Sequence, residues 1–300
     1  MLNWKRPYNV IQIIKQIHNY PYITEIIISN GHPNTILTFT EFNKVISIND
    51  TVNNKYYGLD LRFLRGSHAK NNKLIIMDDD ILIDHDNLTK LLSHYEQNPN
   101  SIVGIEGRNM NNESHYEKLP WESPICDIVL TRLLVCDKVL CELFFRCKPL
   151  VENIYREGIP YGNGEDICLS FIAKLFYNIK HHTIINSVYT IDLPNNHSIS
   201  SNNTHLSYRK KLCEYLKINK ELFKNVIHVE SKSYLTRNMK PIQQTFEPPK
   251  LTKPPKLTKP PKLTKPPKTQ NHYNVPSSNL QKETGVKYIK VGNKYIIRKK

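Results

Sequence analysis

A chain of 300 residues is long enough for one large domain or two modest ones with a sizeable core. Its formal charge of +15 is unevenly placed: from Glu247 onward fourteen Lys/Arg face two acids, a net of +12, which leaves 28 basic and 25 acidic residues, a net of +3, in the first 246. The body therefore lacks the basic composition of a nucleic-acid binder. Six cysteines (Cys126, Cys136, Cys141, Cys147, Cys168, Cys213) form no C-x-x-C pair and have no histidine at zinc spacing, so they read as small buried thiols in a reducing compartment. No apolar run reaches membrane-spanning length and no signal-peptide core opens the sequence, so a cytoplasmic protein without a membrane span is expected.

Trp4-Lys5-Arg6-Pro7 leads into a helical pattern over Tyr8–His18, with Val10, Ile11, Ile14 and Ile17 on one face. Ile23–Ser29 reads as a β-branched strand ended by the turn signal Asn30-Gly31, and Lys44–Ile48 as a second short strand. Tyr57–His68 reads as a helix presenting Arg62 and Arg65. Then comes Leu74-Ile75-Ile76-Met77-Asp78-Asp79-Asp80, four apolar residues that predict a fully buried strand, followed by three mutually repelling carboxylates. Ligands in open α/β sheets gather outside the carboxyl ends of the strands, where these acids would sit. They form either a Mg²⁺ or Mn²⁺ site, held by oxygen donors beside substrate phosphates, or turn and capping acids before a helix at Asn87–Tyr95. The sequence alone leaves both open.

Further on, Ile102–Ile105 reads as a strand leading into Glu106-Gly107-Arg108, Ile128–Val135 as an apolar run and Lys138–Phe145 as a helix. Tyr161-Gly162-Asn163-Gly164-Glu165-Asp166 opens a helix through about Phe176. Acids on a first turn are favoured by the helix dipole, so capping and site chemistry are both open for Glu165 and Asp166. Ile184–Ile191 reads as a late strand, followed by a polar stretch with His197, His205 and Arg209 and a helix over Tyr208–Leu216. The alternation of strand and helix predicts an α/β fold, a doubly wound, mostly parallel sheet with helices on both faces. Residues 248–265 repeat Pro-Pro-Lys-Leu-Thr-Lys three times, a composition that favours an extended polyproline II spacer. Val286–Val291 and Lys294–Arg298 flank Gly292-Asn293 like a hairpin. The expected division is a domain over 1–235, a Pro/Lys linker over 236–270 and a basic tail over 271–300.

Five stretches taken together carry a resemblance: Trp4-Lys5-Arg6-Pro7, Ile26 to Asn30, Leu61-Arg62-Phe63, Met77-Asp78-Asp79-Asp80, and the pair Ile102 to Arg108 with Gly164-Glu165-Asp166-Ile167. In this order the chain resembles a nucleotide-sugar glycosyltransferase of the GT-A type, most closely the exostosin C-terminal glycosyltransferase domain. The resemblance implies a UDP-sugar donor, with Mn²⁺ (or Mg²⁺) at Asp78 and Asp80 and His197 as a further metal candidate. It implies donor contacts from Asn30, Arg62, Asp78, Asp79 and Arg108, and catalytic roles for Asp166 and Glu165. Asp166 would position the acceptor hydroxyl, act as base, or stabilise an oxocarbenium-like centre. The sugar it favours is an N-acetylhexosamine; the acceptor is unidentified. In the family a first strand precedes the opening turn, and only Met1-Leu2-Asn3 stand there, so that strand is expected to be missing.

The alternative is a catalytically inactive GT-A fold that binds a glycan or another anion through its basic tail. Residues 247–271 contain no aromatic, so sequence-specific nucleic-acid reading by the tail is not expected, whereas polyanion contact is.

Overall fold

Val10, Ile13, Ile14 and Ile17 recur at helical spacing and Pro7 is pre-set for a first turn, so Pro7–Ile17 forms helix α1 with that face buried. The computed structural model describes residues 1–110, 116–118, 123–156, 163–184, 187–194, 205–228, 286–291 and 294–299. Helix α1 connects two parallel strands, β1 (Leu2–Asn3) and β2 (Ile26–Asn30), and β2 pairs in parallel with β3 (Val45–Asn49). The first strand, expected to be missing, is thus present as two residues. Ser29 N–H donates to Met1 O and Gly31 N–H to Asn3 O, both at 3.0 Å.

The helix expected over Tyr57–His68 is divided: α2 (Thr51–Tyr57), a 3-10 turn (Gly58–Asp60) and α3 (Leu61–Ser67). Gly58 sits at φ +52°, a conformation that breaks the helical path and that glycine adopts without steric cost. The apolar run before the acids is β4 (Lys73–Met77), and β5 (Ile81–Leu82) follows the acids. Next come helix α4 (His85–Gln97), the strands β6 (Val103–Gly104) and β7 (Gly107–Met110), and β8 (Tyr116–Lys118). The run Ile128–Val135 divides at Leu130-Thr131-Arg132. It follows β9 (Ile125–Cys126) and supplies β10 (Ile128–Val129) and the start of β11 (Leu133–Asp137).

The larger sheet runs β4-β11-β6-β12-β9, with β12 at His181–Thr183. It is mixed rather than mostly parallel, because β11 returns antiparallel between β4 and β6 while β6 and β12 run in parallel. Leu133, Leu134, Val135 and Cys136 are all buried. Such a continuous apolar run marks a strand covered on both faces, in either direction. The late strand expected over Ile184–Ile191 is corrected too: β12 ends at Thr183, and β13 (Ile191–Asp192) pairs with β5.

Helices α5 (Lys138–Arg156), α6 (Glu165–Tyr177), α7 (His205–Ile218) and α8 (residues 220–228) complete the domain. The pleat sorts alternate residues to opposite layers. Ile76, Leu134 and Cys136 join a core with α3 and α5 to α8, while Met77, Leu133 and Val135 join one with α1, β2 and α4. All six cysteines are buried free thiols. Among the described residues no backbone pairing joins β2 to β4. A narrow cavity of about 150 Å³ lies between Ile23 to Ile27 and Leu74 to Met77, with Met1 also in its lining.

No helix among the described residues is long and apolar enough to cross a membrane. The terminal segment pairs as an antiparallel hairpin, β14 (Val286–Val291) with β15 (Lys294–Lys299). The Pro/Lys repeats lie outside the described residues.

Candidate active site

The three aspartates leave β4 into a cavity of about 870 Å³ at the carboxyl ends of β1, β2 and β4. The capping reading of these acids is met elsewhere. Asp84 is the N-cap of α4, accepting from Asn87 N–H at 2.7 Å and from Asn87 Nδ2 at 2.8 Å. Asp78 is instead held by the turn between β10 and β11, its N–H donating to Arg132 O at 2.9 Å.

Each acid meets a guanidinium. Arg6, at the start of α1, pairs through Nη1 with Asp79 and lies 3.2 Å from Asp80 Oδ2. Arg62 of α3 donates from Nη1 to Asp78 Oδ1 at 2.9 Å and to Thr131 O at 3.3 Å, with Nη2 3.7 Å from Glu165 Oε1. Arg209 of α7 pairs with Asp166. Six carboxylates line the cavity against four guanidinium groups and the ammonium of Lys5, a formal excess of one negative charge when all are ionised.

Burial raises the pKa of Asp79, against the pull of Arg6. It raises Asp80 as well, with repulsion from Asp78 adding to the shift. Burial raises Glu165 to about 7, opposed by Arg62 and reinforced by Asp166. For Arg62, burial works against its charge, and attraction to Asp78 and Glu165 outweighs it, so its pKa is raised. A cluster that holds protons this tightly is one that would also gain from a bound cation.

The two acids of α6 divide their oxygens between helix and cavity. Glu165 Oε2 accepts from Gly164 N–H at 3.2 Å, while Oε1 accepts from Thr131 Oγ1 at 2.9 Å. Asp166 Oδ1 accepts from Ile167 N–H at 2.9 Å, and Oδ2 takes Arg209. Gly164 stands at φ +107°, and a Cβ there would lie 2.5 Å from Leu212 Cδ2. Only glycine lets the start of α6 press against α7 and bring Asp166 to Arg209.

The structure gathers Arg62, Asp78, Asp79, Asp80, Glu165 and Asp166 around the cavity and leaves two predicted donor residues out of its lining. Asn30 is buried and committed to bracing: its Nδ2 donates to Thr35 O and its Oδ1 accepts from Asn3 Nδ2 at 2.7 Å. Its neighbours Ser29 and Gly31 line the cavity instead. Arg108 donates to Gly107 O at 2.7 Å and lies 4.0 Å from Glu106. His197 lies outside the described residues, and His205 opens α7 with a side chain that lies outside them too.

Arg6, Arg132 and Asn54 are among the lining residues that carried no assigned role in the sequence. Arg6 is the N-cap of α1 in the short turn after β1, a placement that can signal an anion-facing charge. Arg132 interrupts two apolar runs and pairs with both Glu106 and Asp192 at the cavity rim. Asn54 gives no sequence signal at all.

A family model described as the glycosyl transferase family 64 domain matches residues 1–234, from β1 past the end of α8. No curated protein matches the chain. The match covers well over half of the sequence and contains the whole acid and arginine cavity, so the chain belongs to glycosyl transferase family 64.

Proposed function

We propose that this glycosyltransferase moves a sugar, of the N-acetylhexosamine class, from a UDP-sugar to a hydroxyl acceptor with Mn²⁺ or Mg²⁺ in the cavity, as an exostosin-like enzyme of the GT-A type. The observation that carries this reading is the convergence of six carboxylates and four arginines in one cavity at the carboxyl ends of β2 and β4.

The donor set suits such an ion. Among the described residues no three His, Cys, Asp or Glu side chains form an all-protein metal cage. Mg²⁺ and Mn²⁺ need none here, since one or two carboxylates plus substrate phosphates suffice. Asp78, the most open of the three at 33% side-chain exposure, and Asp80 are the residues that would hold it. When bound, the ion supplies charge stabilisation to the leaving diphosphate.

The chain's own groups would do the rest. Arg62, fixed by Asp78, Thr131 and Glu165, presents a rigid fork for phosphate oxygens. Asp166, with Arg209 as counter-ion, faces the sugar. There it takes the acceptor proton in an inverting reaction, or stabilises the oxocarbenium-like centre in a retaining one. The lysine-rich tail serves as a polyanion contact.

A panel of UDP- and GDP-sugars tested for Mn²⁺-dependent binding and hydrolysis checks the reading. One UDP-sugar is expected to turn over with metal, and Asp80→Asn to lower that turnover by about 10²-fold or more with an unchanged melting curve. Undiminished turnover in Asp80→Asn would remove the metal assignment. Absence of turnover with every donor would favour the inactive, tail-binding alternative.

A further inference from the structure

We infer that Arg6 is an internal counter-ion that occupies Asp79 and the metal carboxylate Asp80 in the donor-free site and passes to the donor's diphosphate when it binds, so that metal and donor bind cooperatively. The inference rests on the metal and diphosphate reading given above.

Three features point to it. Arg6 Nη1 reaches two of the three acids at once, Asp79 and Asp80. A divalent ion on Asp80 would therefore meet a like charge already in place. Secondly, the Arg6 backbone is anchored on both sides: its N–H donates to Asn3 Oδ1 at 3.2 Å and its carbonyl accepts from Val10 N–H at 3.2 Å. The side chain is 17% exposed, so solvent and a ligand in the cavity reach it while its root is fixed. Thirdly, the two arginines of this end of the cavity differ. Arg62 is 6% exposed and tied to a backbone carbonyl as well as to acids, which fixes its position.

A diphosphate offers Arg6 a partner that matches a planar guanidinium fork better than two separate carboxylates do. Transfer of Arg6 from Asp79 and Asp80 to phosphate would free Asp80 and add a cation to the donor in one movement. By linkage the effect is reciprocal: donor tightens metal as much as metal tightens donor. The ion free in solution would then be excluded until a donor is present.

The test measures Mn²⁺ binding directly, by the electron paramagnetic resonance signal of free Mn²⁺ in titrations of the full chain, alone and with UDP. Arg6→Gln is expected to tighten Mn²⁺ binding in the absence of UDP by about 10-fold, within the usual range of coupling between sites, and to shrink the further gain on adding UDP. Arg6→Lys, which keeps the charge but not the fork, should leave Mn²⁺ binding without UDP near wild type and reduce the further gain on adding UDP. Lys5→Gln removes a cation that lines the same cavity but makes no ion pair among the described residues, so a change below about threefold is expected there. Melting curves establish that each variant is folded.

Equal or weaker Mn²⁺ binding in folded Arg6→Gln, alongside UDP-dependent Mn²⁺ binding in wild type, overturns the role of Arg6 and leaves the metal reading standing. An equal gain in Lys5→Gln also overturns it, since the effect would then be one of net charge. No Mn²⁺ binding by wild type even with UDP overturns the metal reading, and this inference with it.

Discussion

Asp50 lies behind the lining residue Ser29 and Glu165 in the cavity wall itself, at 1% and 3% exposure, and their protons behave in opposite ways. Burial alone raises the pKa of either. Around Asp50, hydrogen bonds from Arg65, Ser29 and Asn53 outweigh it, and the pKa falls below the usual carboxylate value. Arg65 Nε donates at 2.7 Å, Ser29 Oγ at 2.5 Å and Asn53 Nδ2 at 2.9 Å. Glu165 takes one hydroxyl and one backbone N–H, with Arg62 at 3.7 Å, and its pKa rises to about 7. Asp50 has more and closer donors, while Glu165 is set deeper among protein atoms and is repelled by Asp166, and these differences together decide the sign. The wall carrying Ser29 is a satisfied scaffold, whereas the wall of α6 holds the carboxyl of Glu165 with fewer donors.

The largest effect should come from breaking the Arg209–Asp166 pair of the second wall. Arg209→Ala leaves Asp166 buried without its counter-ion, and about 3–5 kcal/mol of stability should be lost in urea unfolding. Arg65→Ala should cost less, about 1–3 kcal/mol, since Asp50 keeps Ser29 and Asn53. Equal losses would erase the contrast between the walls.

A pH series separates them further. For Glu165 the folded pKa of about 7 lies above the ordinary 4.5. The folded state therefore binds the proton more tightly, and stability from this group declines as pH rises through that window. For Asp50 the folded pKa lies below 3.8, so its contribution is present above that value and is lost as pH falls through the folded pKa. Glu165→Gln should remove a decline of about 2–3 kcal/mol between the two Glu165 pKa values. Asp50→Asn should flatten only the acid limb. The measurement is urea stability from acid to neutral pH, and a Glu165→Gln curve parallel to wild type would contradict the assignment.

The smallest effect on chemistry is expected outside the cavity. Removal of residues 247–300 takes away a net charge of +12 and should leave donor turnover within about twofold. The same truncation should weaken salt-sensitive binding to a polyanion. A loss of turnover would mean that the tail contributes to the cavity.

Legibility in the sequence followed physical cause. Four apolar residues and three adjacent acids have few structural solutions, and β4 with Asp78 to Asp80 stands where that pattern puts it. Strand direction had no such signal, because a strand buried on both faces reads the same whichever way it runs, as β11 shows. Asn30 was misplaced for a related reason. It ends the right strand, but the pleat and the turn commit its amide to Asn3 and Thr35 rather than to the cavity. Arg209 was visible only as a charge in a polar stretch. Its burial depends on Gly164, whose missing side chain admits α7.

The gap between β2 and β4 gives the molecule a fault line. Backbone ladders hold the three-stranded unit together and the five-stranded unit together, and among the described residues none crosses between them. Amide exchange should therefore reveal two separately opening units, with β1 to β3 exchanging ahead of β4 and β11. The large cavity spans that line, with Ser29 and Gly31 on one bank and Asp78 and Thr131 on the other. A donor seated across it would act as a rivet, slowing exchange on the far bank, in β2, as well as at the residues it touches.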